Sequence, residues 1–256
     1  MTALRLRREP PVFRAVTVAG VTWISPRMVR VTLAGVSLEG FPVPEPAASV
    51  RLLLPSPGSD GELVVPTWNG NEFLMADGAR PVLRTFTPRR FDPDALELDV
   101  EIVVHGGGAA STWAAAAAVG APAALSGPGR GYTIDSAAPS FLVAGDETAL
   151  PAISQLLDVL PTGVPVQVHV EVADPAAQLP PDAEGHLLPA GVAPGDALVA
   201  AVVGTELDPD TRVWVAGEAA AVQRIRKHLF QERGFPRSQT SIRGYWKHGR
   251  AGGEAD

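Results

Sequence analysis

The rhythm of apolar residues changes at Ser136-Ala137-Ala138-Pro139, and no other feature restricts the fold as much. Ahead of it, residues 13–21 (FRAVTVAGV) and 28–33 (MVRVTL) alternate apolar with polar side chains, bounded by turn formers such as Gly20 and Ser25-Pro26. Alternation at period two puts successive side chains on opposite faces, the signature of a half-buried strand. Residues 50–54 (VRLLL), 82–87 and 96–104 extend the set, with a Pro/Ser/Gly loop at 55–61 and an Asn69-Gly70-Asn71 turn between them. Short strands at close spacing predict a small antiparallel barrel. Beyond the change, residues 141–144, 166–172, 197–203 and 212–216 read as strands, with helices at 148–160 and 219–233. Strands alternating with helices predict a parallel sheet, which binds ligands beyond the carboxyl ends of its strands. The expected division is therefore 1–135 and 136–256.

The chemistry gathers around Arg84-Thr85-Phe86-Thr87-Pro88-Arg89-Arg90. Guanidinium groups pair bidentately with phosphate, and an aromatic ring can lie against a flat heterocycle. The plainer alternative is a strand edge kept soluble by arginines. Downstream, an apolar strand runs into His105-Gly106-Gly107-Gly108-Ala109-Ala110-Ser111-Thr112-Trp113, a glycine turn opening a helix. Free amides at a helix start beside glycines form an anion site, while the bare alternative is a tight turn. In the second half, Gly145-Asp146-Glu147-Thr148 and Gly217-Glu218 follow strands, but neither is a G-x-G-x-x-G fingerprint. Acidic side chains there repel a pyrophosphate, so their plain role is at the N-terminus of a helix. Residues 174–195, rich in Pro, Ala and Gly, read as a long surface connection. The tail Arg243-Gly244-Tyr245-Trp246-Lys247-His248-Gly249-Arg250 suits either capping a flat cofactor or a terminal strand that tucks Trp246 into the core.

Composition removes whole classes of function. A formal net charge of −7 leaves no basic field for nucleic acid. With no cysteine, the chain has no disulfide, iron–sulfur cluster or thiol nucleophile. The five histidines, His105, His169, His186, His228 and His248, show no ligand spacing, so no protein metal site is expected. Redox chemistry would then fall to an organic cofactor. No apolar run reaches the length of a signal peptide or a membrane span, so no membrane insertion and a cytoplasmic location are expected. Nothing in the sequence sets the oligomeric state.

Five stretches in order carry a family resemblance over residues 13–250. They are Arg84-Thr85-Phe86-Thr87-Pro88-Arg89, residues 103–114, residues 127–132, the run AGDETALPAI at 144–153, and WVAGE followed by the closing Gly244-Tyr245-Trp246-Lys247. In these the chain resembles the siderophore-interacting proteins, flavin-dependent ferric-siderophore reductases of the ferredoxin reductase superfamily. The resemblance implies an antiparallel Greek-key β-barrel that binds FAD, then a parallel-sheet α/β nucleotide-binding domain that receives NADPH or NADH. It implies that Arg84, Phe86 and Thr87 hold the flavin and its ribityl-phosphate arm, and that His105, Gly108, Ala110 and Ser111 pack against the pyrophosphate. Thr85, Arg89, Val103, Gly106 and Trp113 belong to the same implied cofactor-binding set. Asp146, Glu147 and Thr148 would lie toward the nicotinamide, with Tyr245 and Trp246 near the flavin edge.

The implied substrate is a ferric siderophore, met by a cationic mouth for which Arg51, Arg130, Lys247 and Arg250 are candidates. No side chain is assigned a catalytic role, because the flavin carries the chemistry. Phe86 stands where tyrosine is usual and Lys247 where arginine is common. The chain stops soon after Lys247, which favours NAD(P)H over ferredoxin as donor. Two rival functions remain: a general flavin or ferredoxin-type reductase with a non-iron acceptor, and a non-catalytic siderophore-binding module.

Overall fold

The computed structural model describes residues 11–249. The first half is built from β1 (Arg14–Ser25), β2 (Met28–Ala34), β3 (Val50–Leu54), the two-residue β4 (Thr67–Trp68) and β5 (Phe73–Leu74), β6 (Val82–Phe86), β7 (Pro88–Asp92), β8 (Glu97–Val103), helix α1 (Ala109–Ala115) and β9 (Pro122–Ser126). Seven of these strands form one antiparallel sheet in the order β6-β3-β9-β1-β2-β8-β7.

That order forces closure. In a flat sheet the outer strands β6 and β7 would stand roughly 29 Å apart, at about 4.8 Å per step. Only Thr87 separates them in sequence, a bridge of about 7 Å. The sheet therefore curls until its edges meet at Thr87, giving the barrel that the short strands predict. Alternation fills it: Val29, Val31 and Leu33 of β2 and Leu98, Val100 and Ile102 of β8 share one buried cluster. The opposite faces pair across the strands, with Thr32 Oγ1 donating to Asp99 Oδ1 at 2.7 Å.

The second half contains β10 (Phe141–Asp146), α2 (Leu150–Val159), β11 (Val166–Val172), β12 (Glu184–Leu187), α3 (Asp196–Gly204), β13 (Arg212–Glu218), α4 (Ala219–Lys227) and β14 (Thr240–Trp246). The parallel sheet has the order β12-β11-β10-β13-β14. Phe141 and Val143 of β10 pack toward the α2 cluster, while Leu142 and Ala144 pack with α3 and α4 on the other face. A central strand covered on both faces is apolar throughout, and so loses the alternation seen in the barrel.

Three expectations are corrected. Residues 197–203 are helical, not a strand. Their apolar run has the helical spacing Leu198, Val199, Val202 on its buried face, and the buried Glu171 carboxylate accepts from the amides of Gly195 at 2.6 Å and Leu198 at 3.0 Å. A short apolar run does not distinguish the two states by periodicity. The connection at 174–195 contains the edge strand β12. The last helix widens into a π turn at His228–Glu232, where Arg233 N bonds His228 O at 3.0 Å.

The halves dock through a shared cluster in which Met28 and Ala47 of the barrel meet Phe141, Val143 and Ile153. Polar ties cross the same seam. Arg27 Nε reaches Glu147 Oε2 at 3.0 Å, and Gln155 donates to Pro88 O at 2.7 Å while accepting from Ala47 N at 2.9 Å. No helix among the described residues is long and apolar enough to cross a membrane.

Candidate functional site

The arginine stretch does not act as one patch, because a strand deals its residues to two faces. Arg84 is paired with Leu52, and Phe86 with Val50, both fully buried in the barrel core. Arg84 and Phe86 therefore share the inward face, where Phe86 packs against the core cluster. Arg84 is half-buried, and the hydrogen bond it makes among the described residues is to Leu83 O at 3.0 Å, with no carboxylate in reach. Burial pulls its pKa below the ordinary guanidinium value. Thr85 lies on the outward face, exposed and paired with exposed Arg51.

Arg89 and Thr85 lie apart from Arg84 and Phe86. The guanidinium of Arg89 turns across the seam to Asp158 Oδ2 at 3.2 Å, and Thr85 is carried away by alternation. Thr87, between the edge strands, is buried with its hydroxyl 3.4 Å from Tyr245 Oη, which brings β14 to the barrel mouth. Burial raises the Tyr245 hydroxyl above its ordinary value.

The loop 105–108 lies beside this face, since α1 packs against β6 and β8. Gly108 takes a φ of 89°, which a side chain would strain, and no atom lies within 4 Å of where a Cβ would sit on Gly106 or Gly107. The backbone there is open to a ligand. Thr112 N, bonded to Gly108 O at 3.0 Å, is the first helix amide with a backbone acceptor. The amides of Ala109, Ala110 and Ser111 have no acceptor among the described residues, although a seven-residue helix contributes only a small dipole, and Gly107 N is taken by His105 O at 2.7 Å.

Ser111 turns to the backbone of its own loop. Its buried hydroxyl accepts from His105 N at 2.8 Å and donates to His105 O at 2.6 Å, closing the loop from inside. Trp113 and Ala110 pack on the barrel core, and Val103 on the seam. The His105 side chain is exposed.

The acidic loop is a structural knot. Asp146 accepts from Thr148 N at 2.9 Å and Thr148 Oγ1 at 2.5 Å through one oxygen, and from Glu218 N at 2.8 Å and Trp246 Nε1 at 2.7 Å through the other. Burial pushes its pKa up while these donors pull it down. Gly217, at φ 155°, leaves room for the carboxylate, for a Cβ there would stand 2.6 Å from Asp146 Oδ2. Glu147 is spent on Arg27 and on Ala173 N at 2.9 Å. The donors that both acids face belong to the protein, as expected of acids at a helix start.

The closing residues form a terminal strand. Tyr245 packs into the seam cluster, while Trp246 is part-buried and pinned to Asp146. Arg130 and Lys247 are exposed, and Arg250 lies outside the described residues.

Two residues that sequence reasoning passed over hold the site together. Arg243 reaches from β14 to Gly131 O at 3.1 Å, and Gln155 ties α2 to both Ala47 and Pro88. Neither had a local signal, since each acts on backbone carbonyls or amides distant in sequence.

The donors present fit a phosphorylated flavin: an open glycine loop, free amides and a withdrawn guanidinium without an acid beside it. Comparison with known proteins agrees. A siderophore-interacting FAD-binding domain matches residues 17–132, and a siderophore-interacting protein domain matches residues 138–249. An uncharacterized protein of Mycobacterium tuberculosis is 36% identical over 256 residues, covering 92% of this chain and 90% of that one. A siderophore utilization protein from T. fusca superposes with a TM-score of 0.82 at 36% identity, over 95% of each chain. The ferric vibriobactin reductase of Vibrio cholerae is 34% identical over 153 residues, 59% of this chain and 56% of its own length. With both halves matched in order and near-complete relatives at this identity, the chain belongs to the siderophore-interacting protein family.

Proposed function

We propose that the protein is a reductase that takes electrons from NADPH or NADH and delivers them to a ferric siderophore, releasing Fe(II). The observation that carries this reading is Arg84: a half-buried cation on the inward face of β6, beside an open glycine loop, with no carboxylate to neutralise it among the described residues. A phosphate there gains a charge-assisted, bidentate partner that the fold itself does not supply. Bound there, FAD would supply a ring that accepts a hydride and gives up electrons singly, as a ferric ion requires.

The chain's own groups hold and enclose that cofactor. Arg84 and the amides of Gly106, Gly108, Ala109 and Ala110 take the phosphates, and Phe86 offers an aromatic face. Tyr245, positioned against Thr87, closes the mouth from the second sheet. The Ser111 hydroxyl acts one step back, fixing the loop through His105. In this reading the barrel holds FAD, and NAD(P)H approaches from the carboxyl ends of the parallel strands. The substrate mouth carries Arg51, Arg130 and Lys247, exposed cations that draw an anionic chelate to an otherwise acidic protein. The similar Vibrio cholerae protein, named as a ferric vibriobactin reductase, supports the choice of acceptor.

The decisive experiment is to purify the full chain, add FAD and record the visible spectrum. NAD(P)H and a ferric siderophore are then mixed anaerobically with a ferrous-specific dye. Flavin bands and dye formation are expected; a protein that binds no FAD, or that binds it and forms no ferrous dye complex, refutes the reading.

A further inference from the structure

The sequence scatters its histidines, but the β11/β12 pairing gathers two of them. His169 stands opposite Glu184 in the parallel register, and His186 follows two residues later on the same face. The result places His169 Nδ1 at 3.1 Å from His186 Nε2 and 3.6 Å from Glu184 Oε2, with all three ligand atoms within 4.8 Å of one another. We propose that His169, Glu184 and His186 bind a divalent transition-metal ion of borderline softness, with zinc the best match, at the outer edge of the parallel sheet.

The argument starts from the far side of the buried ring. Thr205 Oγ1, at the end of α3, donates to Ala201 O at 2.8 Å, so its one proton is used. The same oxygen lies 2.9 Å from His169 Nε2, and must therefore accept a proton from it. Nε2 then carries the hydrogen, and Nδ1 presents a lone pair to Glu184 and His186. Without an ion that lone pair accepts from His186 Nε2 at 3.1 Å, while the Glu184 oxygen at 3.6 Å faces it as a second acceptor, a contact that a cation replacing the His186 proton turns from repulsive to attractive. Ligating imidazoles characteristically have their second nitrogen fixed in this way by an outer hydrogen bond.

The dimensions suit the ion. Bonds of about 2.0–2.1 Å at tetrahedral angles separate neighbouring donors by about 3.3 Å. The two measured separations, 3.1 and 3.6 Å, bracket that value. Two imidazoles and one carboxylate match zinc, and its place in the affinity order puts it ahead of Fe(II) on the same ligands. Glu184 is 72% exposed, so an ion has an approach from solvent and a water can complete the shell. Such a clasp would pin a four-residue edge strand to its neighbour and to α3, far from the chemistry of Arg84.

The test is a zinc titration of the full chain in competition with a chromophoric chelator, with thermal unfolding measured in parallel. Saturable uptake of one ion and a zinc-dependent rise in Tm are expected. His186→Asn, at the sheet edge, should abolish both, and Glu184→Gln should weaken binding. Thr205→Val, which frees the His169 tautomer while touching no ligand atom, should cost about tenfold in affinity. Absence of saturable uptake in the wild type, or uptake that His186→Asn leaves unchanged, overturns the assignment. FAD binding reports separately on the reductase reading.

Discussion

Arg84 and Asp146 are both charged residues withdrawn from water, one in the barrel and one in the parallel sheet, and the fold treats them in opposite ways. Asp146 receives four hydrogen bonds, from β13, from β14 and from the turn that follows it. Among the described residues Arg84 has only a neighbouring carbonyl, and burial already works against its charge. A buried charge must be compensated, and where the protein supplies the whole compensation the group is a part of the framework. Where it supplies too little, the remainder is left for a ligand. By that standard the acid loop, which has the more conspicuous sequence, is scaffold, and the guanidinium of Arg84 is the group on which the proposed cofactor site is built.

The largest effect should come from Asp146→Ala. It removes the cap of Thr148 and strands the buried donors Glu218 N and Trp246 Nε1, for a loss of about 3 kcal/mol. Urea unfolding would show it as a fall in the midpoint at unchanged m-value. Arg84→Leu should invert the pattern. Stability should stay within about 1 kcal/mol of wild type, since no ion pair is broken, while FAD affinity falls about 100-fold with the lost phosphate contact. Quenching of flavin fluorescence measures the second quantity. If Arg84→Leu unfolds the protein and leaves FAD binding intact, the contrast is wrong.

Gln155 supplies the neutral case between these two. Gln155→Leu deletes bonds to Pro88 O and Ala47 N, leaving an amide at the seam without a partner. About 1–2 kcal/mol of stability should go, through docking of the two sheets. Limited proteolysis should then cut first between residues 127 and 140, where the chain crosses from one sheet to the other.

The contrast explains what the sequence could and could not disclose. Residues 166–172 were legible to the residue, because strand alternation and β-branched content are local, and 50–54 were legible as a short apolar run ahead of a Pro/Ser/Gly loop. The barrel-then-parallel-sheet order was legible for the same reason. The α3 helix was not, since its decisive contact is the Glu171 carboxylate on another element. Within the arginine stretch the division of faces was not legible: Arg84 and Phe86 face inward, while Thr85 is turned outward by the pleat and Arg89 reaches Asp158. His169 and His186 are 17 positions apart and meet only through strand register. Properties that depend on who sits opposite, rather than who comes next, are invisible without pairing.

The smallest expected effect is a slope, and it tests how complete the compensation of Asp146 is. Burial is the largest influence on its carboxyl and raises the pKa above the ordinary 3.8, against the pull of its hydrogen-bond donors. Between 3.8 and the raised value, the folded protein holds a proton that the unfolded chain has released. The contribution of this group to stability is therefore fullest in acid, declines as pH rises through that window, and is level above it. Asp135, held low by the Arg212 guanidinium, gives the opposite slope, losing its contribution as pH falls. The quantity to measure is thus a difference: unfolding free energy of the wild type minus that of Asp146→Asn, from about pH 4 upward. A difference that falls with rising pH means that burial outweighs the donors and that the knot tolerates a proton. A difference that rises means that the four hydrogen bonds hold a true carboxylate, which would make Asp146 the fully satisfied counterpart of Arg84.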